Sequence, residues 1–302
     1  MAIGDALGAA VEFRARGTFE PVTGYRGGGP HPIGPGDWTD DTSMGLAMAE
    51  SLAISGGVDR EDMMDRFLQW ARDGKFSVNG RCFDIGIQTS SAIRTWEQTG
   101  DLSLISSEDS RSGNGSIMRL APVAAFFADN GPADVYMASQ QSSATTHPSR
   151  LCVESCGVLG LLLFDFIQGG KDAALAVADL DQWAFDRLKE AGTTLDDIDH
   201  RLAEKIRWAT SGGAAAKKGS GFVLDCLEAA LWAALTHSTF ESAVLAAVNL
   251  GNDADTTGAV AGMIAGARFG AAAIPDHLID GLGGKDLLGT ACRQVVGIDP
   301  FD

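Results

Sequence analysis

The sequence predicts an all-α fold, because apolar residues recur at helical spacing, glycines end the periodic segments, and strand signals are weak. Five segments carry an apolar stripe in which positions i, i+3 and i+4 repeat. These stripes begin at Met44, Met63, Val223, Phe240 and Val260. Alternating β-branched runs bounded by turns are few, so we expect helices rather than a sheet.

Glycines mark the predicted helix ends. A glycine just after the last apolar residue is typical of a helix C-terminus, because glycine readily adopts the left-handed backbone found there. The glycines in such positions are Gly56-Gly57, Gly74, Gly100, Gly169-Gly170 and Gly270. Glycine and alanine are also abundant within the helical segments, which predicts that some helices approach each other closely.

The chain shows no repeat of fixed period and no long linker, so residues 1–302 are predicted to form one compact multi-helical domain. Two irregular segments interrupt the helical pattern, Gly24–Trp38 and Ser106–Gly115, both rich in turn-forming residues. Each adjoins a polar cluster described below. Binding residues often lie on loops of a rigid scaffold, so these loops are predicted to border a site.

The charge balance excludes some partners. The sequence has 23 basic and 40 acidic residues, a formal net charge of −17. Binding to a phosphate backbone or an anionic membrane depends on clustered Lys and Arg, and no basic run is present. We therefore expect no nucleic acid and no membrane among the partners.

The longest apolar run and the cysteines favour a cytoplasmic protein. The run Leu151–Ile167 is interrupted by Glu154 and Asp165 and is shorter than the roughly 20 residues that cross a bilayer, which predicts a buried helix. The first residues lack the basic and apolar regions of a secretory signal. Five cysteines without CxxC spacing are expected to be reduced thiols.

Two acidic clusters each open a predicted helix. The first is Trp38-Thr39-Asp40-Asp41-Thr42, and the second runs from Gly251 to Thr257 with Asp253, Asp255 and Thr256. Thr and Asp at these positions could cap the helices and complement their dipoles. Two neighbouring carboxylates on each helix instead favour a cation between them, since like charges repel. The residues alone leave both interpretations open.

The donor types restrict the metal, if one is bound. Carboxylate and hydroxyl oxygens suit Mg²⁺ or Mn²⁺, or Ca²⁺ with more ligands. Zinc would need His or Cys, and neither lies beside these clusters in the sequence. Two clusters of this size could hold two cations about 3.5–4 Å apart, as in two-metal hydrolases. Such cations would also allow a strongly acidic protein to accept an anionic substrate.

Weaker polar features have simple structural interpretations. Asp5 and Glu12 are two helical turns apart, as on one solvated helix face. Asp84 precedes a helix, as an N-cap residue does. The turn Gly113–Ser116 could present backbone N–H groups to a phosphate, although it lacks the lysine of a P-loop. His147 is expected to make a structural hydrogen bond, and Phe222 to be buried in the core or to stack on a base.

Taken together and in this order, the motifs resemble the ADP-ribosylglycohydrolase family, over about residues 2–270. The paired Thr-Asp-Asp and Asp-Ala-Asp-Thr motifs are the specific part of this resemblance. The matching segments are Gly4-Asp5-Ala6-Leu7-Gly8 with Glu12-Phe13, residues 24–29, 38–44, 82–86 and 113–119, Thr145-Thr146-His147, residues 219–222 and residues 249–259.

The resemblance implies an all-α fold with two Mg²⁺ or Mn²⁺ ions at the bottom of a cleft. Its metal ligands would be Thr39, Asp40, Asp41, Asp253, Asp255 and Thr256. Asp84 matches a proposed proton-transfer group, and Glu12 matches an acidic residue near the metals that contributes to catalysis in some relatives. The residues implied to contact ADP-ribose are Gly86, Asn114, Gly115, Ser116, Met118, His147 and Phe222.

Three departures from the family pattern concern the substrate preference more than the metal site. Ile87 stands where relatives commonly have Asn, which removes one polar contact. Phe222 stands where relatives often have Tyr, so a stacking face is kept and a hydroxyl is lost. The chain also begins almost at the Gly-Asp motif, so the first helix is expected to be short.

The resemblance implies a metal-dependent hydrolase that cleaves ADP-ribose from an acceptor, with arginine on a modified protein as the expected acceptor. A non-catalytic ADP-ribose-binding protein, or a hydrolase of serine-linked or O-acetyl conjugates, is the alternative. An isoprenoid synthase is disfavoured because Met44 follows where an Asp-Asp-x-x-Asp motif needs its last Asp. A His-Asp phosphohydrolase is disfavoured because five scattered His do not form its metal cluster.

Overall fold

The computed structural model describes residues 1–301, and Asp302, the last residue of the predicted domain, lies outside them. Within these residues the chain forms fifteen α-helices and no extended strand, as the apolar periodicity predicts. The helices are α1 Ala2–Gly8, α2 Asp40–Ser55, α3 Arg60–Asp73, α4 Ile87–Thr99, α5 Ala121–Phe126, α6 Pro132–Ala144, α7 Arg150–Gln168, α8 Lys171–Ala178, α9 Leu180–Glu190, α10 His200–Trp208, α11 Val223–Thr236, α12 Phe240–Val248, α13 Ala254–Phe269, α14 Asp276–Asp280 and α15 Lys285–Val296.

The predicted helix ends are confirmed. Gly56, Gly74 and Gly100 follow α2, α3 and α4 in the left-handed conformation, and each donates its N–H to a carbonyl four residues back. Gly169 and Gly270 follow α7 and α13 with positive φ. The first helix is short, as expected, because it ends at Gly8 and passes into a 3-10 turn at Ala9–Val11.

Helix α13 lies at the centre of the fold and packs against α1, α2, α7, α11 and α12. Its residues from Ala254 to Ala265 are all buried. Helix α1 approaches it so closely that a Cβ on Gly4 would lie 1.9 Å from the Gly258 carbonyl oxygen. A Cβ on Gly8 would lie 2.3 Å from the Asp255 amide nitrogen. The predicted close approach through glycine is therefore confirmed between α1, which carries Asp5, and α13, which carries Asp255.

Helix α7 is the predicted buried apolar helix. It is long and apolar enough to cross a membrane, but 83% of its most apolar window is buried inside the protein. Asp165 faces the interior, where it accepts hydrogen bonds from Trp183 and Arg187 at 2.7 Å each. Helix α7 is thus a core helix of this fold, and its buried Asp165 is paired with Arg187.

The five cysteines are free thiols, as expected. Cys152, Cys156 and Cys226 are buried, whereas Cys82 and Cys292 are half-buried. Burial raises the pKa of the Cys152 thiol to about 12, because the apolar interior disfavours a thiolate. The three buried cysteines therefore behave as core thiols.

Candidate metal centre and cleft

The two predicted acidic clusters meet in space. The Thr39 hydroxyl lies 3.3 Å from Asp255 Oδ2, and the Thr256 hydroxyl lies 3.4 Å from Asp41 Oδ2. These pairs are more than 200 residues apart in sequence. The close packing of α1, α2 and α13 therefore places the N-termini of α2 and α13 side by side.

Capping does not explain the acidic clusters. Thr39 and Asp253 occupy the N-cap positions of α2 and α13, yet neither side chain bonds to the amides of its own helix. The N-terminus of α2 is satisfied by Asp5 of α1, whose carboxylate accepts hydrogen bonds from the amides of Thr39 and Thr42 at 2.8 and 3.0 Å. The side chains of the first cluster are thereby free for another role.

Asp5 is fully buried, and Glu12 is only 4% exposed, so the prediction of one solvated helix face is wrong. The helix ends at Gly8, and the 3-10 turn that follows points Glu12 inward. Asp5 also accepts the hydroxyls of Thr39 and Thr42, at 2.9 and 2.6 Å. Through these hydrogen bonds Asp5 orients Thr39 and Thr42 of the first acidic cluster.

Several carboxylate oxygens at this junction lack a partner. Asp41 Oδ1, Asp255 Oδ1 and Glu12 Oε2 are buried and accept no hydrogen bond from residues 1–301, although a histidine nitrogen lies 3.3 Å from Glu12 Oε2. Buried polar atoms normally find a partner. Oxygens of Asp5, Asp41 and Asp255 lie within 4.8 Å of one another, as do those of Glu12, Asp253 and Asp255. Unpartnered hard donors converging in this way fit a divalent cation.

The electrostatics of the cluster point the same way. Burial raises the pKa of Glu12 to about 10, with repulsion from Asp84, Asp253 and Asp41 adding to it. Burial first, and neighbouring carboxylates second, also hold the pKa values of Asp41 and Asp255 well above the usual range. So many buried carboxyl groups cannot all ionise without positive charge between them.

An imidazole joins the acidic groups, which the sequence did not predict. His31 Nε2 lies 3.0 Å from Asp84 Oδ1 and 3.3 Å from Glu12 Oε2, and its ring packs on Phe83. The expectation that no His lies beside the acidic clusters holds along the chain but is wrong in space. The irregular segment Gly24–Trp38 folds back over the site and carries His31 there.

Asp84 is not an N-cap residue, contrary to the simple interpretation. The N-cap of α4 is Gly86, and Asp84 has a φ of 59°. Phe13 and Asn252 share this left-handed conformation, with φ values of 60° and 58°. The amide of Phe13 donates to the Asn252 carbonyl at 2.6 Å. Backbone strain in non-glycine residues is thus concentrated around the site, as is common where side chains must be aimed.

A cavity of about 850 Å³ opens over the acidic groups. Its size suits a ligand as large as a nucleotide–sugar conjugate. Most of the residues predicted to form a site line it. These are Glu12, Asp40, Asp84, Gly86, Asn114, Gly115, Met118, His147, Asp253, Asp255 and Thr256.

Four of the predicted residues do not line the cavity. Thr39 and Asp41 are fully buried and contact the lining residue Asp255 or Thr256 from within the protein. Ser116 is 1% exposed, and its hydroxyl accepts hydrogen bonds from Ser143 and Cys156. Phe222 is 37% exposed, outside both the core and the cavity lining. The structure therefore gives Ser116 a packing role and does not bring Phe222 to the cleft.

The loop before α5 is held by a buried arginine. Arg119 donates to the Gly115 carbonyl at 3.0 Å and to the Thr146 hydroxyl at 2.8 Å, and it stacks over the ring of Phe67. Thr146 in turn lies 2.8 Å from His147 Nδ1. Burial and Arg119 lower the pKa of His147 to about 3, so the ring is neutral. His147 thus makes the expected structural hydrogen bond and also lines the cleft.

Asn114 connects this loop to the second acidic cluster. Its side-chain amide donates to Asp253 Oδ2 at 2.7 Å, and its backbone amide donates to the Gly221 carbonyl at 3.0 Å. The Asp253 amide donates to the Gly219 carbonyl at 3.1 Å. Three segments remote in sequence are therefore fixed to one another at the wall of the cleft.

Comparisons with known proteins agree with this geometry. The model of the ADP-ribosylglycohydrolase family matches residues 1–299. The chain is 37% identical to the ADP-ribosylarginine hydrolase Tri1 of Pseudomonas putida (strain GB-1) over 281 residues, 93% of this chain and 71% of the relative. It is 32% identical to the ADP-ribosyl-[dinitrogen reductase] glycohydrolase of Rhodospirillum rubrum, over 91% of this chain and 85% of that protein.

A solved structure described as an ADP-ribosylglycohydrolase-related protein complex superposes with a TM-score of 0.78 at 36% identity. The match covers 97% of this chain and 93% of that chain. The all-α fold and the family resemblance of the motifs are thereby confirmed. By its fold, its acidic cleft and the match over nearly its whole length, the chain belongs to the ADP-ribosylglycohydrolase family.

Proposed function

We propose that this protein is a metal-dependent hydrolase that cleaves the bond between ADP-ribose and an arginine side chain on a modified protein. The observation that carries the proposal is the meeting of the α2 and α13 N-termini, with unpartnered oxygens of Asp41 and Asp255, beneath a cavity of about 850 Å³. The names of the relatives support arginine as the acceptor, since one is an ADP-ribosylarginine hydrolase.

The donor set supports two divalent cations, Mg²⁺ or Mn²⁺, as cofactors. The residues proposed to hold them are Thr39, Asp40, Asp41, Asp253, Asp255 and Thr256. When bound, such cations polarise substrate oxygens and make a nearby water more acidic. Asp5 and Asn114 keep the ligands in place through the hydrogen bonds described above.

The remaining carboxyl groups are proposed to manage protons. Asp84 lines the cavity, and His31 Nε2 lies 3.0 Å from one of its oxygens. In the proposed reaction the ribose C1″–N bond breaks through an oxocarbenium-like state, and a carboxyl group returns a proton to the leaving guanidine. Water supplies the new C–O bond and gives its proton to a carboxylate. Asp84 and Glu12 are the candidates for these transfers.

The test is a panel of defined ADP-ribosyl conjugates, with release of free ADP-ribose as the readout. We expect turnover of ADP-ribosyl-arginine with Mg²⁺ or Mn²⁺, and its loss in Asp255→Ala. Turnover that persists after thorough chelation, or full activity of Asp255→Ala, would overturn the proposal. Cleavage of only a serine-linked or O-acetyl conjugate would reassign the acceptor, and binding of ADP-ribose without any turnover would identify a binding protein.

The proposal extends to organisation and location. We propose that residues 1–302 form one domain, supported by a single hydrophobic core that includes residues from α1 to α15. A cytoplasmic location is supported by the burial of α7 and by five free thiols. An ADP-ribosylated protein is the proposed partner.

A further inference from the structure

The cavity contains one basic side chain that no step above uses. Five carboxylates line it, from Glu12, Asp40, Asp84, Asp253 and Asp255. Arg111 is the one Lys or Arg among the lining residues that the structure describes. The carboxylates of this cleft repel an anionic ligand, and a cation among them offsets that repulsion. The presence of Arg111 therefore favours an anionic ligand.

The backbone of Arg111 is fixed on both sides. Arg111 ends a 3-10 turn, Asp109–Arg111, and its amide donates to the Glu108 carbonyl at 2.9 Å. Asp109 pairs with Arg201 of α10 at 2.7 Å. The next residue, Ser112, bonds through its hydroxyl to the Ser149 hydroxyl at 2.9 Å. The turn is thereby anchored to α10 and to the start of α7, and it presents the Arg111 side chain to the cavity.

The guanidinium of Arg111 is available. Within residues 1–301 it makes neither an ion pair nor a side-chain hydrogen bond, and the side chain is exposed. The two acidic neighbours on the same turn have other partners, since Asp109 binds Arg201 and Glu108 accepts from Ser110 at 3.4 Å. The positive charge is therefore not neutralised by its own turn.

The first two backbone amides of the adjacent loop, those of Gly113 and Asn114, are not free to bind an anion. The Gly113 amide donates to the Arg111 carbonyl at 2.9 Å, and the Asn114 amide donates to the Gly221 carbonyl at 3.0 Å. The sequence suggested that this Gly-rich turn presents N–H groups to a phosphate, but two of those groups are already bonded within the protein. A phosphate at this wall needs another donor.

We propose that Arg111 binds the diphosphate of the ADP-ribosyl group and sets the preference for diphosphate-bearing substrates. The proposal rests on the proposed function, which supplies a substrate with two adjacent phosphates. The planar guanidinium donates two parallel hydrogen bonds to phosphate oxygens. Arg111 then acts on binding of the substrate, because in ADP-ribose the ribose ring separates the diphosphate from the C1″–N bond that breaks.

The test uses Arg111→Gln, with Arg94→Gln as a matched control. Arg94 is an exposed arginine of α4 outside the cavity lining, so its loss changes the net charge equally. Calorimetry measures the dissociation constants of ADP-ribose and ADP with each protein. We expect both constants to rise about tenfold in Arg111→Gln, a loss typical of one charged hydrogen-bonding group, and to stay within twofold in the control.

Kinetics with ADP-ribosyl-arginine supply a second readout. We expect KM to rise about tenfold in Arg111→Gln with kcat within twofold, since the lost contact lies away from the reacting carbon. The KM of Arg111→Lys is expected to lie between those of the unmodified protein and Arg111→Gln, because lysine keeps the charge and loses the bidentate geometry. Thermal unfolding of the ligand-free variants checks that the fold is retained.

The outcomes separate this inference from the proposed function. Unchanged dissociation constants in Arg111→Gln, alongside measurable binding by the unmodified protein, would overturn the role of Arg111 and leave the function standing. A loss confined to kcat would also overturn it. Failure of the unmodified protein to bind ADP-ribose or to cleave any conjugate would overturn the function itself, and the inference with it.

Discussion

The carboxylate of Asp5 accepts both the amide and the hydroxyl of Thr39, at 2.8 and 2.9 Å, so a residue of α1 caps α2. The same carboxylate accepts the amide and hydroxyl of Thr42. Because Asp5 satisfies the N-terminus of α2, the side chains of Asp40 and Asp41 need not do so. This arrangement leaves the first acidic cluster free for the proposed metal binding.

Asp5→Asn is expected to weaken both the fold and the metal centre. An asparagine side chain has one acceptor oxygen, so about half of the four hydrogen bonds are lost. With each such bond to a charged group worth about 1.5–3 kcal/mol, we expect the free energy of unfolding to fall by about 3 kcal/mol. Denaturant unfolding measures this, and metal titration should show weaker binding. Asp59→Asn, at the exposed N-cap of α3, is the control; equal metal affinity in Asp5→Asn and Asp59→Asn would contradict the positioning role.

Asp255→Asn is expected to raise the stability of the metal-free protein and to abolish its stabilisation by metal. Asp255 carries a buried, unpartnered oxygen, and its pKa is raised by burial and by Glu12. A neutral side chain of the same shape removes the repulsion between this carboxylate and its acidic neighbours, a gain of about 1.4 kcal/mol for each unit by which that repulsion raises the pKa. Thermal unfolding with and without Mg²⁺, Mn²⁺ and Zn²⁺ checks both effects.

Zn²⁺ is included because the His31 imidazole, close to Glu12, adds a nitrogen donor. A stabilising shift with metal that survives in Asp255→Asn would argue against this centre.

Gly4→Ala is expected to separate α1 from α13. The added Cβ would lie 1.9 Å from the Gly258 carbonyl oxygen, so one helix must move. Overpacking of this kind costs typically 1–3 kcal/mol, and we expect a loss of about 3 kcal/mol together with weaker metal binding. Gly57→Ala is the control, since no atom lies within 4 Å of its Cβ position. Wild-type stability in Gly4→Ala would show that the helices are not in close contact.

The neutral ring of His147 predicts a specific pH dependence of stability. Its pKa is about 3 in the fold, against 6.5 in an unfolded chain. Below pH 6.5 the unfolded state therefore gains a proton that the folded state does not. The contribution of His147 to the free energy of unfolding should therefore fall by about 1.4 kcal/mol per pH unit between pH 6.5 and about 3.

The measurement compares the unmodified protein with His147→Gln by denaturant unfolding at pH 7.5 and pH 5. We expect the variant to lose about 2 kcal/mol less than the unmodified protein over this interval. His200→Gln, at an exposed position on α10, should follow the unmodified protein. Parallel pH profiles for the unmodified protein and His147→Gln would show that the ring takes up a proton in the folded state.

Local sequence patterns were enough for the all-α class, for the ends of several helices and for the positions of both acidic clusters. The spacing of apolar residues and the glycines after them depend on contacts within one helix, so Gly56 and Gly74 end their helices as expected. The Thr-Asp-Asp and Asp-Ala-Asp-Thr motifs marked both clusters because each opens a helix with two acidic groups, while the residues alone left capping and metal binding as alternatives. The family resemblance added the remaining cleft residues, of which Ser116 and Phe222 lie elsewhere.

Long-range packing decided the rest. Asp5 was interpreted as a solvated residue because its burial depends on α13, whose contact with α1 is made by glycines more than 250 residues apart. His31 and Arg111 carry no local signal, since their roles arise from loops folding over a distant helix junction. A linear sequence determines which groups a segment can offer, through backbone and side-chain preferences. Only tertiary structure determines which groups meet, because burial and charge proximity are properties of the folded chain.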